Sequence, residues 1–466
     1  MKNKILVLLC FLGLYANSQT IAGVDTLWKS GPISKRINLV IMGDGYDNTE
    51  TAKFITDANN IVTYLFNNAP FSNYKNYFNV FAIKCVSPQS GVTHLGTATD
   101  VTEPASALYN VTNYFNTRFD NYNVHRLIYS MNSTVVYSVL ANYFPNYDQA
   151  VILGNSPEYG GAGGSYAVSS THSNSKEIVL HEMGHSFAGL ADEYWAGASY
   201  AAEKPNMTAN NNASSIKWAP WMGINAISAY PYGTASPDNQ WFRPHQNCKM
   251  RYLNSPFCSV CKETIIEKIH DLTNPIDSYT PPSAASTPYT APGLWVKTKL
   301  IKPIPNTLKT MWDLNGVSIA NNKDSVEITN SMLTIGINPL NFVVVDTTTM
   351  SKDQNVHPST HFYSLSWNIN YNPAGIKEVK AQLEYTAFPN PVTDVLNIKY
   401  HLFEDSEIAI SIVDLTGKVV SSGRSKKQTA GDYTTEINVN NLSEGNYILS
   451  IKINEQTINN QFVIFK

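Results

Sequence analysis

In Glu177-Ile178-Val179-Leu180-His181-Glu182-Met183-Gly184-His185, residue types and spacing combine to do chemistry. On a helix, residues four apart share a face, so the imidazoles of His181 and His185 converge on one point. Glu182 sits one step round, close enough to act on a ligand of the same ion. This H-E-x-x-H spacing is that of a zinc site. There the ion polarises a scissile carbonyl and acidifies a water, and Glu182 takes the water proton and passes it to a leaving amine. The flanks are apolar, and two histidines buried beside a glutamate without an ion would lack partners. Asn174 is placed to cap the helix, with Glu177 reaching back as a capping box.

A catalytic zinc usually takes three protein ligands and a water. Gly189 is placed to end the helix in a left-handed conformation and turn the chain back toward the ion. Asp192, three residues later, is the expected third ligand ahead of its neighbour Glu193. Metzincins also set a His or Asp three residues past a glycine, with one fewer residue after the second histidine. A gluzincin arrangement would use Glu203 instead, but Pro205 and the loop-like composition around it oppose the helix this needs. Met250 is a candidate floor for the ion, and the Tyr252 phenol a candidate partner for the developing oxyanion.

The elements that must position these groups come from a chain of 466 residues, 43% hydrophobic and 15% charged, with a formal charge of -3. That balance gives no basic field for nucleic acid, and the only long apolar run is N-terminal. That run follows Lys2 and Lys4, spans Ile5 to Leu14 and ends at Ala16-Asn17-Ser18. It reads as a secretory signal peptide over residues 1–18 rather than a transmembrane span. Between residues 19 and 272 strand-like and helix-like segments alternate, predicting a mixed α/β (α+β) domain of helices packed on a sheet. Strands are expected at 36–42, 77–83 and 149–153, and helices at 49–66, 105–119 and 260–269. Residues 273–293 carry five prolines and predict an extended linker. Residues 294–372 hold short alternating strands that fit a small β-sandwich.

Export removes Cys10, leaving Cys85, Cys248, Cys258 and Cys261. In an oxidising compartment these read as disulfide formers, with Cys248 joined to Cys258 or Cys261. The alternative is a zinc knuckle completed by His245 or His270. The run Tyr159 to Tyr166 lacks the Lys-Ser/Thr of a phosphate loop. It reads as a turn and edge strand beside the cleft, able to hold an extended peptide by strand addition, or as a plain glycine loop. Asp44 and Asp47 read as turn and helix-cap residues rather than a calcium loop. His125, His172, His357, His361 and His401 read as structural or exposed.

The last eighty residues run Ala387-Phe388-Pro389-Asn390-Pro391, Val413-Asp414-Leu415-Thr416-Gly417 and Leu442-Ser443-Glu444-Gly445-Asn446-Tyr447. Residues 385–466 thereby resemble the C-terminal sorting domain of the type IX secretion system, which implies a β-sandwich address read by the export machinery. His181 to Tyr194, Gly43-Asp44-Gly45-Tyr46 and the Cys248 to Cys261 run resemble the bacterial IgA-peptidase family of metallopeptidases. The resemblance implies a metzincin-like domain with one zinc, Zn2+, on His181, His185 and Asp192, and Glu182 as base. The expectation is a secreted or surface-attached zinc endopeptidase acting on extracellular polypeptide or glycoprotein. A non-catalytic adhesin or glycan-binding protein, or a hydrolase of cell-wall peptide, is the alternative.

Overall fold

The run Ile37–Asp44 is buried along its whole length. Its side chains alternate between two cores: Ile37, Leu39 and Ile41 enter one, Val40 and Met42 the other. A strand with both faces covered must read as an unbroken apolar run, as this one does. A computed structural model describes residues 20–100, 108–283, 286–290, 292–352, 361–372, 383–454 and 456–466. The signal-peptide expectation, residues 101–107 and His357 lie outside the described residues.

The Ile37–Asp44 strand lies inside a six-stranded sheet ordered Thr20–Lys29, Phe78–Val86, Ile37–Asp44, Gln149–Gly154, Ala167–Ser170, Gly161–Ala162. The four inner strands are parallel and both edges antiparallel. On one face pack the helices Thr51–Leu65, Ser175–Ala188 and Ser259–Leu272, and on the other Ser133–Tyr143. Thr51–Leu65 turns Phe54, Ala58, Ile61, Val62 and Leu65 inward, the spacing of one helical face.

The helix expected at 105–119 does not form in its described part, which is loop with a short strand at Thr117–Arg118. Buried Asp44, at the end of its strand, is the reason. Its carboxylate accepts the backbone N–H groups of Tyr114 (2.6 Å), Phe115 (3.1 Å) and Thr117 (3.1 Å). Three amides aimed at one side chain are not free for a helical ladder. The capping box at Asn174 is absent too. Glu177 turns inward and pairs with the buried Lys249 ammonium, which would otherwise be an unpaired charge.

The chain divides into two compact units. One holds the chain to Ser278 with Lys299–Thr310 and Val344–Tyr363; the other holds the remainder. The strands Leu308–Leu314, Val317–Asn321, Gly336–Asp346 and Phe362–Tyr371 belong to a five-stranded sheet, with Trp312 stacked on Trp367. Part of the proline-rich 273–293 stretch is edge strand rather than free linker: Thr287–Pro288 pairs in parallel with Ile369–Asn370. Proline is tolerated there because an edge leaves its missing N–H unused. Residues 383–466 form a three-stranded and a five-stranded sheet around one apolar core.

Candidate metal centre

The Ser175–Ala188 helix follows the Ala167–Ser170 strand after a short turn, and Gly161 and Gly163 of the neighbouring edge run lie against its Ile178 and Glu182. Gly189 closes it at φ 65°, its N–H bonded to the His185 carbonyl at 2.9 Å. That left-handed residue reverses the chain and returns Asp192 to the two histidines. His181 Nε2 lies 3.2 Å from His185 Nε2 and 3.0 Å from Asp192 Oδ1, and His185 Nε2 lies 3.3 Å from Asp192 Oδ1. With metal–ligand bonds of about 2.0–2.1 Å, two ligands of a tetrahedral ion stand about 3.3 Å apart. The triangle therefore has the size that a bound ion imposes.

The outer ring nitrogens are fixed as well. His181 Nδ1 meets the Lys249 carbonyl at 2.9 Å and His185 Nδ1 the Leu190 carbonyl at 2.7 Å. A protonated Nδ1 donating to a carbonyl leaves Nε2 as the lone-pair donor for an ion. Burial pulls the His181 and His185 imidazoles down, but Asp192 overrides it, raising both and bringing His185 to about 9. Burial pushes Asp192 up, and hydrogen bonds from His181 and His185 more than reverse this, holding it below the carboxylate range. A positive charge is thereby favoured where the three groups meet. Glu182 is raised by burial, with His181 and His185 only partly offsetting it, which makes its carboxylate a better proton acceptor than an exposed one.

Two glycines make the packing possible. A Cβ on Gly184, between the histidines, would stand 2.5 Å from Met250 Sδ. Met250, fully buried, therefore seats its sulfur against the helix itself. A Cβ on Gly163 would stand 2.6 Å from Glu182 Oε2. The glycine-rich run, whose Gly161–Ala162 is the sheet edge, thus passes directly over the carboxylate.

Residues 26–235 match the family described as IgA Peptidase M64. This match contains His181, Glu182, His185 and Asp192, ends before Met250, and points to a peptidase. Residues 386–465 match the secretion system C-terminal sorting domain, which points to export by the type IX machinery and a surface or extracellular location. No helix of the described residues is long and apolar enough to cross a membrane. No curated protein matches. Solved structures match weakly. Latent PorU of Porphyromonas gingivalis is 11% identical, over 40% of this chain and 19% of that one, with a TM-score of 0.17. The SGBP-B protein of a Bacteroides ovatus mixed-linkage glucan locus is 12% identical over 40% and 43%, at 0.16. A Parabacteroides merdae β-glucuronidase is 11% identical over 71% and 40%, at 0.18. The chain spans less than half the length of each of these three.

Around the M64 segment the structure gathers groups that the sequence did not single out. Tyr194 accepts a hydrogen bond from Arg126, and both lie within Coulomb range of Asp192; burial raises the Tyr194 phenol to about 12. Tyr129 lies within range of Glu182. Tyr252 is surface-exposed with its ring beneath the Arg251 guanidinium, and no hydrogen bond joins it to the histidines or Glu182. Glu203 is turned away, paired with Lys217 and Thr208. The expected disulfide is not formed: Cys248, Cys258 and Cys261 are free thiols, and neither His245 nor His270 joins them. His270 instead contacts Asp346 at 2.9 Å, and His245 accepts the Asn247 N–H. His125 is drawn into a polar cluster with His94 and Glu158.

Proposed function

We propose that this protein is a secreted zinc-dependent endopeptidase that cleaves extended polypeptide. The observation that carries the reading is the triangle of His181 Nε2, His185 Nε2 and Asp192 Oδ1 at 3.0 to 3.3 Å, with each Nδ1 tied to a backbone carbonyl. Two imidazoles and one carboxylate are a borderline-hard set that suits zinc. When bound, zinc supplies a Lewis acid at the scissile carbonyl and lowers the pKa of water.

The chain's own residues do the rest. Glu182 takes the proton of the attacking water and returns it to the leaving amine, which its raised pKa favours. The Gly161–Ala162 edge borders the cleft, its Gly161 N–H held by the Arg126 carbonyl at 3.0 Å, and Gly163 lets a substrate strand approach Glu182 without a side chain between them. A phenol is the oxyanion donor: Tyr194 stands nearer by charge coupling, and Tyr252 requires its loop to turn inward on binding.

A quenched-peptide library assayed with and without a chelator tests this reading. Cleavage by zinc-loaded protein that chelator abolishes and Glu182→Gln lacks is the expected result. Zinc-loaded protein without chelator-sensitive cleavage would leave a binding protein instead.

A further inference from the structure

Glu193, next in the chain after Asp192, points the other way. It is fully buried, and its Oε2 has no hydrogen-bond partner. Its carboxylate instead faces three thiols. Cys261 Sγ lies 3.2 Å and Cys258 Sγ 3.8 Å from Glu193 Oε1, and Cys248 Sγ lies 3.7 Å from Cys261 Sγ. All four side chains are buried, and their donor atoms lie within 4.8 Å of one another.

From these contacts we infer a second, structural zinc site formed by Glu193, Cys248, Cys258 and Cys261. The dimensions fit. With Zn–S bonds of about 2.3 Å, a tetrahedral S···S edge is about 3.8 Å and an S···O edge about 3.5 Å. A disulfide would bring two sulfurs to about 2.05 Å and leave the third thiol and the carboxylate stranded. Thiolate donors select zinc over hard cations. The sequence frame is that of a zinc knuckle, with Cys258 capping the Ser259–Leu272 helix and Cys261 in its first turn. The Cys258 backbone N–H points at Cys248 Sγ at 3.3 Å, and Asn206 donates to Glu193 Oε1 at 3.2 Å. Such outer hydrogen bonds hold ligands in place and offset the negative charge of a thiolate set. Buried Arg243 lies within Coulomb range of Glu193 and balances more of it.

The placement gives the ion a purpose. The Glu193 N–H bonds the Met250 carbonyl at 2.7 Å, and Met250 lies against Gly184 of the histidine helix. A closed four-ligand ion here would fix the turn that presents Asp192 and the segment beneath both histidines. It binds no substrate and is independent of whether the histidine site turns over.

Metal per chain, measured by elemental analysis and native mass spectrometry on the purified full chain, tests the inference. Two equivalents of zinc are expected in wild type and in Glu182→Gln. His185→Ala should keep the cysteine-bound equivalent, and Cys258→Ser with Cys261→Ser should lose it. If that double variant does not fold, cobalt-loaded wild type should show thiolate-to-cobalt charge-transfer absorption, and zinc should shield the thiols from alkylation. Peptide mapping that finds Cys248 bonded to Cys258 or Cys261, or thiols alkylated equally with and without zinc, would overturn the inference. Failure of the histidine site alone would appear differently, as wild type holding only the cysteine-dependent equivalent.

Discussion

At the scale of single residues, adjacent side chains hold opposite assignments. Glu182→Gln preserves every contact of His181 and His185 while removing the proton acceptor, so metal content should persist as turnover falls about 10²–10⁴-fold. Unchanged turnover on a quenched peptide would remove Glu182 from the mechanism. Tyr194→Phe and Tyr252→Phe divide the oxyanion role: the phenol that serves should lower kcat by about 10²-fold with KM little changed. The pairing of His181 with His185 was legible because helical spacing is local, and Asp192 because a glycine stands three residues before it. Arg126 was not legible, because a loop distant in sequence brings it to Tyr194 and Asp192. The thiols read as a disulfide because an exported chain meets an oxidising compartment, and their spacing gives no sign that Glu193 joins them.

At the scale of elements, close packing of helix against segment decides the outcome. In Gly184→Ala the added methyl meets Met250 Sδ, so the helix and the segment beneath it must separate. The cost should be about 1–3 kcal/mol, read by thermal unfolding, with zinc affinity falling alongside. An unchanged melting temperature would show that the two can part freely. Asp346 is a second lever. It is buried and accepts from His270, Thr307 and Tyr74, and these bonds outweigh its burial and hold its carboxyl at about 2. A folded pKa below the ordinary value stabilises fully above about pH 4 and is lost as pH falls through about 2, worth about 2 kcal/mol. Asp346→Asn should flatten that acid limb in urea unfolding at about pH 2.5 relative to about pH 6. The strands and the long helices were legible from period alone. The loop after residue 108 was not, because Asp44, about seventy positions earlier, captures its amides.

At the scale of the whole chain, chemistry and address occupy different stretches: residues 26–235 match a peptidase and residues 386–465 a sorting domain. A chain ending before residue 386 should therefore keep its metal and peptide cleavage but accumulate within the cell envelope, as fractionation and immunoblotting would show. Equal amounts of the two forms in the medium would deny the sorting domain that role. The β-rich character of the C-terminal half was legible because alternation and turn residues recur at short range. The strand pairing of the proline-rich stretch was not, since composition alone hides an edge strand.

The turn from Gly189 to Glu193 aims two consecutive carboxylates in opposite directions. Surface loops commonly absorb insertions and deletions, but one residue gained or lost here would rotate both acids off their targets together. A scan of single-codon insertions and deletions along the chain should thus find a sharp intolerant notch at 190–192, deeper than substitutions of Leu190 or Ala191 produce. Length is a property this turn cannot surrender any more than it can surrender its two acids.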